Sequence, residues 1–228
     1  MFVGAYRGRV IDQRTRTETI AGATAAHQLL LATAAAMTAD DASAPSLLPG
    51  WTRGHVLTHL ARNADSHVGL FAAAARGEIG DQYPGGVAQR SGDIDAGASR
   101  SVIDLVADLR DSIDRLEAAW STATDGAWAG RARSPLAGEM LMADLPFRRW
   151  REVEVHHADL GMPVFTIDDW STGYVRRELD RETKAWASRC PMGMTNLPPA
   201  ALALTPARRT AWLLGRYQPE GLERITWA

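Results

Sequence analysis

The sequence contains a single cysteine and no long apolar run, and each shortage excludes a class of protein. Cys190 stands alone among 228 residues, so an intramolecular disulfide and a cysteine-cluster zinc site are both excluded. Residues 1–17 include arginines but lack the apolar region that a signal peptide needs. No later stretch approaches the length of a membrane span. We therefore expect a cytoplasmic protein without a membrane segment.

The chain also lacks an excess of charge of either sign. Its 25 Lys and Arg residues nearly balance 27 Asp and Glu residues, which leaves a formal net charge of −2. Nucleic-acid-binding proteins usually carry a basic surface, and this composition does not favour one. We expect a small-molecule substrate or a protein partner instead of nucleic acid, and a monomer or homodimer.

Helical periodicity is the main pattern in the sequence. Apolar residues recur at three- and four-residue spacing, and strand-like alternation is absent from the first three quarters of the chain. The four predicted helices cover about residues 18–37, 53–76, 93–121 and 144–160, separated by a glycine-rich loop at 78–92 and a connection at 125–139. This order predicts a mainly α fold, a four-helix bundle.

The pattern changes after Gly161. Residues 164–167 are predicted to form a short strand, and helical patterns follow over about 169–188 and 206–214. We interpret this part as a small C-terminal appendage of mixed α and β character.

The fourth predicted helix carries a carboxylate and histidine pattern. It begins near Asp144 and stops at Gly161, where glycine is typical of a helix end. Glu152, His156 and Asp159 are spaced by four and three residues and therefore share one face. A carboxylate and an imidazole one turn apart can bind one metal ion, but such pairs are also common on exposed helix surfaces. The spacing alone leaves both interpretations open.

Three of the six histidines lie in the second predicted helix, which Thr52 can cap. His55 and His59 are one turn apart and could form a two-histidine metal pair, although histidines on helices are frequently structural. His27 lies on the apolar face of the first helix, where we expect a hydrogen-bonded core histidine.

Two segments together resemble the hallmark sequences of the mycothiol-dependent maleylpyruvate isomerase family, which belongs to the DinB-like metalloenzymes. They are Leu48-Pro49-Gly50-Trp51-Thr52-Arg53-Gly54-His55 continuing to His59, and Arg151-Glu152-Val153 with His156-His157-Ala158-Asp159-Leu160-Gly161. The resemblance implies a DinB-like four-helix bundle over residues 17–161, followed by the appendage over residues 162–228.

Carried over residue by residue, the resemblance implies a divalent metal site formed by His59, Glu152 and His156. Zinc is the expected metal, although two histidines and a carboxylate also accept iron, nickel or manganese. Three protein ligands leave one zinc position open, which is typical of a catalytic site.

Two further residues are predicted to be catalytic. Asp159, one turn beyond His156, would accept a hydrogen bond from a ligand or form part of the pocket wall. Arg216 lies in Leu214-Gly215-Arg216-Tyr217, which loosely resembles a Gly-Arg-Gly-like segment of the family's isomerases, with Tyr217 in place of the second glycine. An arginine there would bind a substrate carboxylate.

The family's chemistry implies mycothiol as the thiol cosubstrate. Its thiolate would add to the cis double bond of maleylpyruvate, and rotation followed by elimination would give fumarylpyruvate. A mycothiol S-transferase that acts on another electrophile would use the same metal site. A hydrolase with a metal-bound water as nucleophile, and a DinB-like binding module without catalysis, are the other two hypotheses.

Overall fold

The computed structural model describes residues 12–190 and 196–225, and these are mainly helical, as predicted. The α-helices, numbered along the chain, are α1 (Gln13–Ala35), α2 (Ala39–Ser43), α3 (Arg53–Ala75), α4 (Gly86–Gly97), α5 (Val102–Thr122), α6 (Asp125–Trp128), α7 (Leu145–Asp159), α8 (Thr172–Arg189), α9 (Pro199–Leu202) and α10 (Pro206–Leu213). The strands are β1 (Gly80–Asp81), β2 (Arg131–Ser134) and β3 (Gly138–Leu141). No helix in the described part of the chain is long and apolar enough to cross a membrane.

The chain divides into two compact units, Met1–Trp150 and Arg151–Ala228. The boundary between Trp150 and Arg151 falls within helix α7, which continues across it without a break. The boundary that the sequence predicts at Gly161 stays a prediction.

Local signals determine where the predicted helices begin and end. The Thr52 side chain accepts a hydrogen bond from the backbone N–H of His55, and the His55 side chain accepts one from the backbone N–H of Thr52, which closes a capping box at the start of α3. Helix α7 ends just before Gly161, whose φ of 66° suits glycine better than any other residue.

The helix predicted over residues 93–121 and the loop predicted over residues 78–92 are both partly wrong. Helix α4 begins inside the predicted loop, and α5 begins only at Val102 because Ser101 caps it by accepting from the Asp104 N–H. The break between them packs tightly on α3, since a Cβ at Gly54 would lie 2.2 Å from the carbonyl oxygen of Ala98.

A small sheet occupies part of what the sequence predicts as plain connection. Its strand order is β1-β2-β3, with β1 parallel to β2 and β2 antiparallel to β3. The tight turn of the hairpin pairs Ser134 with Gly138, and Gly138 has a φ of 70°. Strands of two to four residues are too short to show the alternation from which strands are recognised.

The strand predicted over residues 164–167 is wrong. Residues 163–165 form a turn and a bend, and a 3₁₀ helix covers Ile167–Asp169. Thr166 and Asp169 form a capping box for that helix, and the Phe165 ring stacks on His157 with their centroids 3.7 Å apart. The described residues beyond Gly161 contain no strand, so the small β part of this mainly α fold lies before α7.

The core of the first unit is formed by helices α1, α3 and α5 and by the start of α7. Helix α5 buries the predicted apolar face, which consists of Leu105, Leu109, Ile113, Leu116 and Trp120. Trp150 of α7 fills the space beside Gly22 of α1, where a Cβ would lie 2.4 Å from the indole ring. These contacts make the bundle that the sequence predicts.

A polar cluster lies inside this core, and it confirms His27 as a hydrogen-bonded core histidine. Nε of Arg149 donates to Nε2 of His27 at 3.0 Å, while Nδ1 of His27 lies 2.7 Å from Oε1 of Glu117. A guanidinium can only donate, so Nε2 carries the lone pair and Nδ1–H donates to Glu117. Arg149 is completely buried and also donates to the Leu60 carbonyl and to Oδ1 of Asn63, at 2.8 and 2.9 Å.

The second unit has its own small core around α8 and α10. Its buried residues are Leu197, Ala201, Trp212, Leu213 and Ile225. Nε1 of Trp170 donates to the carbonyl oxygen of Glu154 at 2.8 Å, and this bond ties the segment after Gly161 to α7.

The protein should lose stability in mild acid because two buried histidines must take up protons. Burial lowers the pKa of His27 and of His157 to about 4. Each histidine therefore contributes stability that is complete above its unfolded pKa of about 6.5 and is lost as the pH falls toward 4. We expect His27 to account for a loss of up to about 3 kcal/mol in the free energy of unfolding.

The free energy of unfolding, measured by urea denaturation at several pH values between 7 and 4, tests this prediction. The His27→Gln variant should show a shallower pH dependence, with the contribution of His157 remaining. Parallel curves for the variant and the wild type would contradict the prediction.

Candidate metal centre

Helix α7 presents three functional side chains on one face. Glu152, His156 and Asp159 lie in it at the predicted spacing. Nε2 of His156 is 3.6 Å from Oε2 of Glu152, and Nδ1 is 2.9 Å from Oδ2 of Asp159. The imidazole is therefore held between two carboxylates, which fix the plane of its ring.

The same contacts set the protonation of His156. Burial works to lower the pKa of this imidazole, but its hydrogen bonds to Asp159 and Glu152 outweigh burial, and the pKa is raised. With Nδ1 bound to Asp159, Nε2 is the nitrogen that faces Glu152. Histidines that bind metals commonly use this arrangement, in which a carboxylate holds the nitrogen that does not bind.

His59 comes from the middle of α3 and is buried, with 2% of its surface exposed. The Trp51 ring contacts it edge to face, with centroids 5.7 Å apart. Nη2 of Arg90, on α4, lies 3.2 Å from Nδ1 of His59. Because a guanidinium only donates, Nδ1 is the acceptor in this contact, and the proton of the neutral ring is on Nε2.

The three residues named from the sequence as metal ligands come together. His59, Glu152 and His156 each offer one ligand atom, and these atoms all lie within 4.8 Å of one another. Two ligands at about 2.1 Å from one tetrahedral zinc ion lie roughly 3.4 Å apart, so small side-chain movements would suffice to close such a set around an ion. Two imidazoles and one carboxylate also match the donor preference of zinc.

The other histidines of α3 have different surroundings. Nδ1 of His55 lies 3.1 Å from the backbone nitrogen of Thr52 and 2.7 Å from its hydroxyl oxygen, so this side chain serves the helix cap. Among the described residues, the ligand group includes neither His55 nor His67. His55 thus has the structural role that the sequence left open.

Asp159 and Arg216, the two predicted catalytic residues, contact each other. Nε of Arg216 donates to Oδ1 and Oδ2 of Asp159 at 3.0 and 3.2 Å. Arg216 follows Gly215, whose φ of 67° ends α10 and turns the chain. Asp159 therefore accepts from both His156 and Arg216, and it links a histidine of the ligand group to a cation.

A cavity of about 170 Å³ lies beside this linked set. Its lining residues are Arg151, Glu152, Val155, His156, Leu214 and Arg216. Sequence reasoning had assigned no role to Arg151, although it lies in the segment that carries the family resemblance. It also missed Arg90, because residue 90 falls in the predicted loop and a single arginine there gives no signal.

Known proteins resemble this chain in sequence and in fold. The family profile described as "Mycothiol maleylpyruvate isomerase N-terminal domain" matches residues 23–161. Two solved structures share the fold: a mycothiol-dependent maleylpyruvate isomerase and a histidine-to-alanine mutant of that enzyme. Each is 23% identical to this chain, with a TM-score of 0.76 over 88% of this chain and 89% of the other.

A comparison with curated proteins gives no match. The structural likeness establishes the mainly α fold, and the family profile covers well over half of the chain. The chain therefore belongs to the mycothiol maleylpyruvate isomerase family, whose N-terminal domain it contains.

Proposed function

We propose that the protein is a metal-dependent enzyme that uses mycothiol to isomerise maleylpyruvate to fumarylpyruvate. The observation that carries the proposal is the convergence of His59, Glu152 and His156 in a chain of this family. A cytoplasmic location and a monomeric or homodimeric assembly stay predictions.

In the proposed site, zinc or another divalent metal would be held by these three side chains. The metal would lower the pKa of the mycothiol thiol, so that the thiolate is present at neutral pH. Asp159 keeps His156 in the orientation that leaves Nε2 available. The buried surroundings of His59 exclude water from one side of the group.

The reaction then needs few further groups. The thiolate adds to the cis double bond of the substrate, the resulting single bond rotates, and elimination returns the thiol with the trans product. Arg216 would bind a substrate carboxylate through Nη2, since its Nε is engaged by Asp159 and its Nη1 donates to the Leu214 carbonyl. Substrate and thiol would meet in the cavity beside Glu152 and His156.

A mycothiol S-transferase is the second candidate. Tyr217 replaces the second glycine of the segment in which the isomerases place their arginine, and Arg208 lies over the Tyr217 ring, 5.8 Å from its centroid. This difference affects the segment that would select the substrate and leaves the metal ligands untouched. A transferase would consume mycothiol, whereas an isomerase would release it unchanged.

The proposed ligands can be separated from the other histidines by metal content. We expect His59→Ala and His156→Ala to lower metal affinity by more than about 100-fold, because each removes one of only three protein ligands. His67→Ala and His157→Ala should keep the metal. Elemental analysis of the four purified variants, each checked for folding by circular dichroism, makes the comparison. Equal metal content in all four would exclude this ligand set.

The role of mycothiol is tested by calorimetric titration of the purified protein, with and without a chelator. We expect one metal ion per chain and thiol binding that disappears when the metal is removed. An assay with maleylpyruvate should then give fumarylpyruvate with no loss of mycothiol. Metal without thiol binding would point to the hydrolase, and absence of metal to a binding module.

Arg90 should oppose metal binding. Coordination through Nε2 of His59 requires the ring proton to move to Nδ1, where Arg90 now donates, and coordination through Nδ1 takes that lone pair directly. Either way Arg90 must withdraw. Replacing Arg90 with leucine should therefore tighten metal binding by about three- to tenfold, the equivalent of one lost hydrogen bond. Competition with a coloured chelator measures the affinity, and weaker binding in Arg90→Leu would contradict the prediction.

A further inference from the structure

Arg151 is a cation of the cavity that is held in place by a buried carboxylate. Its Nε lies 2.8 Å from Oε1 of Glu178, and its side chain is 36% exposed while that of Glu178 is fully buried. Arg151 lines the cavity together with Glu152, His156 and Arg216. Arg151 thus contacts a buried carboxylate and also lines the cavity beside two of the proposed ligands, Glu152 and His156.

Glu178 contacts a second arginine as well as Arg151. Arg181, on the same helix α8, donates to Glu178 through Nε at 3.2 Å and through Nη2 at 2.7 Å. Nη2 of Arg181 also lies 2.6 Å from Oε1 of Glu182, a second buried carboxylate, so Arg151 and Arg181 together balance the charge of two buried carboxylates. Arg181 is not among the residues that line the cavity. Of the two arginines that contact Glu178, only Arg151 also lines the cavity, where a ligand can meet it.

Arg216 also lines this cavity and also contacts a buried carboxylate. Its Nε donates to Asp159, whose side chain is 3% exposed. In both arginines Nε is close to a buried carboxylate, as a hydrogen-bond donor in Arg216 and as an ion-pair contact in Arg151. Within the described residues, neither terminal nitrogen of Arg151 donates a hydrogen bond, and neither does Nη2 of Arg216.

We propose that Arg151 is a substrate-binding residue and that Arg151 and Arg216 each bind one carboxylate of a short dicarboxylate beside Glu152 and His156. Glu178 is the positioning residue of Arg151, as Asp159 is of Arg216. The proposal rests on the proposed function, because it gives its dicarboxylate substrate a partner for the second carboxylate. Two anchored guanidiniums select an anion with two negative ends over one with a single negative end.

The test compares two small probes on the metal-loaded protein by calorimetry. Maleate has two carboxylates, and maleamate has one carboxylate replaced by a neutral amide. The wild type should bind maleate more tightly than maleamate. Arg151→Met should weaken maleate binding by about 10- to 100-fold, the effect of a lost charge-assisted contact, and should largely remove the preference. Metal content should not change.

Arg181→Met is the matched control, because Arg181 pairs with the same carboxylate but does not line the cavity. It should keep the preference for maleate even if it lowers the melting temperature. Should Arg151→Met fail to fold, Arg151→Lys serves instead: it keeps the charge but cannot make a bidentate contact, so part of the preference should remain. Three results would each overturn the proposal. The Arg151 variants could bind maleate as tightly as the wild type, Arg181→Met could lose as much maleate affinity as Arg151→Met, or the wild type could bind maleate and maleamate equally well.

The positioning role of Glu178 is tested by a double-mutant cycle. Glu178→Gln should weaken maleate binding in the wild type but have no further effect in the Arg151→Met background, whereas a purely structural role would lower affinity in both. Binding of maleate and maleamate requires neither mycothiol nor turnover. These measurements therefore test the two-arginine site independently of the proposed reaction. A preserved maleate preference without thiol-dependent isomerisation would overturn the reaction and support the two-arginine site.

Discussion

The candidate site depends on the buried guanidinium of Arg149. It donates to the carbonyl of Leu60 and to Asn63, which lie one and four residues beyond His59 on α3, and to His27 on α1. A charged group without exposure tolerates little displacement, so these bonds fix the rotation of α7 about its axis. Glu152 and His156 follow Arg149 by three and seven residues and thus share its face of the helix. One buried arginine therefore anchors the start of the helix that carries two of the proposed ligands.

Two buried carboxylates hold the side chains around the proposed ligands. Asp159 holds His156 and Arg216, and Glu178 holds Arg151 and Arg181. Each carboxylate is buried and is paired with two cationic or imidazole partners, which offsets the cost of its burial. The arginines at the cavity are thereby fixed before any ligand arrives, and little side-chain entropy remains to be lost on binding.

Sequence periodicity was sufficient to find the four helices of the bundle, apart from the start of the third, because each buries an apolar face and carries a recognisable end, such as Thr52 or Gly161. The proposed ligand set came from the family resemblance, because the spacing within α7 alone left both a metal site and a surface pair open. The small elements did not follow. Helix α4 has a single buried residue, Ile94, and the strands are two to four residues long, so neither shows a measurable period. The strand expected at 164–167 was replaced by a capped turn, because the Thr166 and Asp169 side chains compete for the backbone.

Contacts between residues far apart in the chain were beyond the sequence for a different reason. Arg90, Arg151 and Glu178 are individually ordinary, since arginine and glutamate are abundant on helices and are usually solvated. What distinguishes Arg151 from Arg181 is that only the former reaches the cavity, although both contact Glu178. The metal ligands are restricted by coordination chemistry to a few residue types at fixed spacing, whereas a substrate carboxylate can be met by an arginine from many positions. An arginine that binds a substrate carboxylate is therefore harder to recognise in a sequence than a set of metal ligands, and its role has to be inferred from the placement of charges around the cavity.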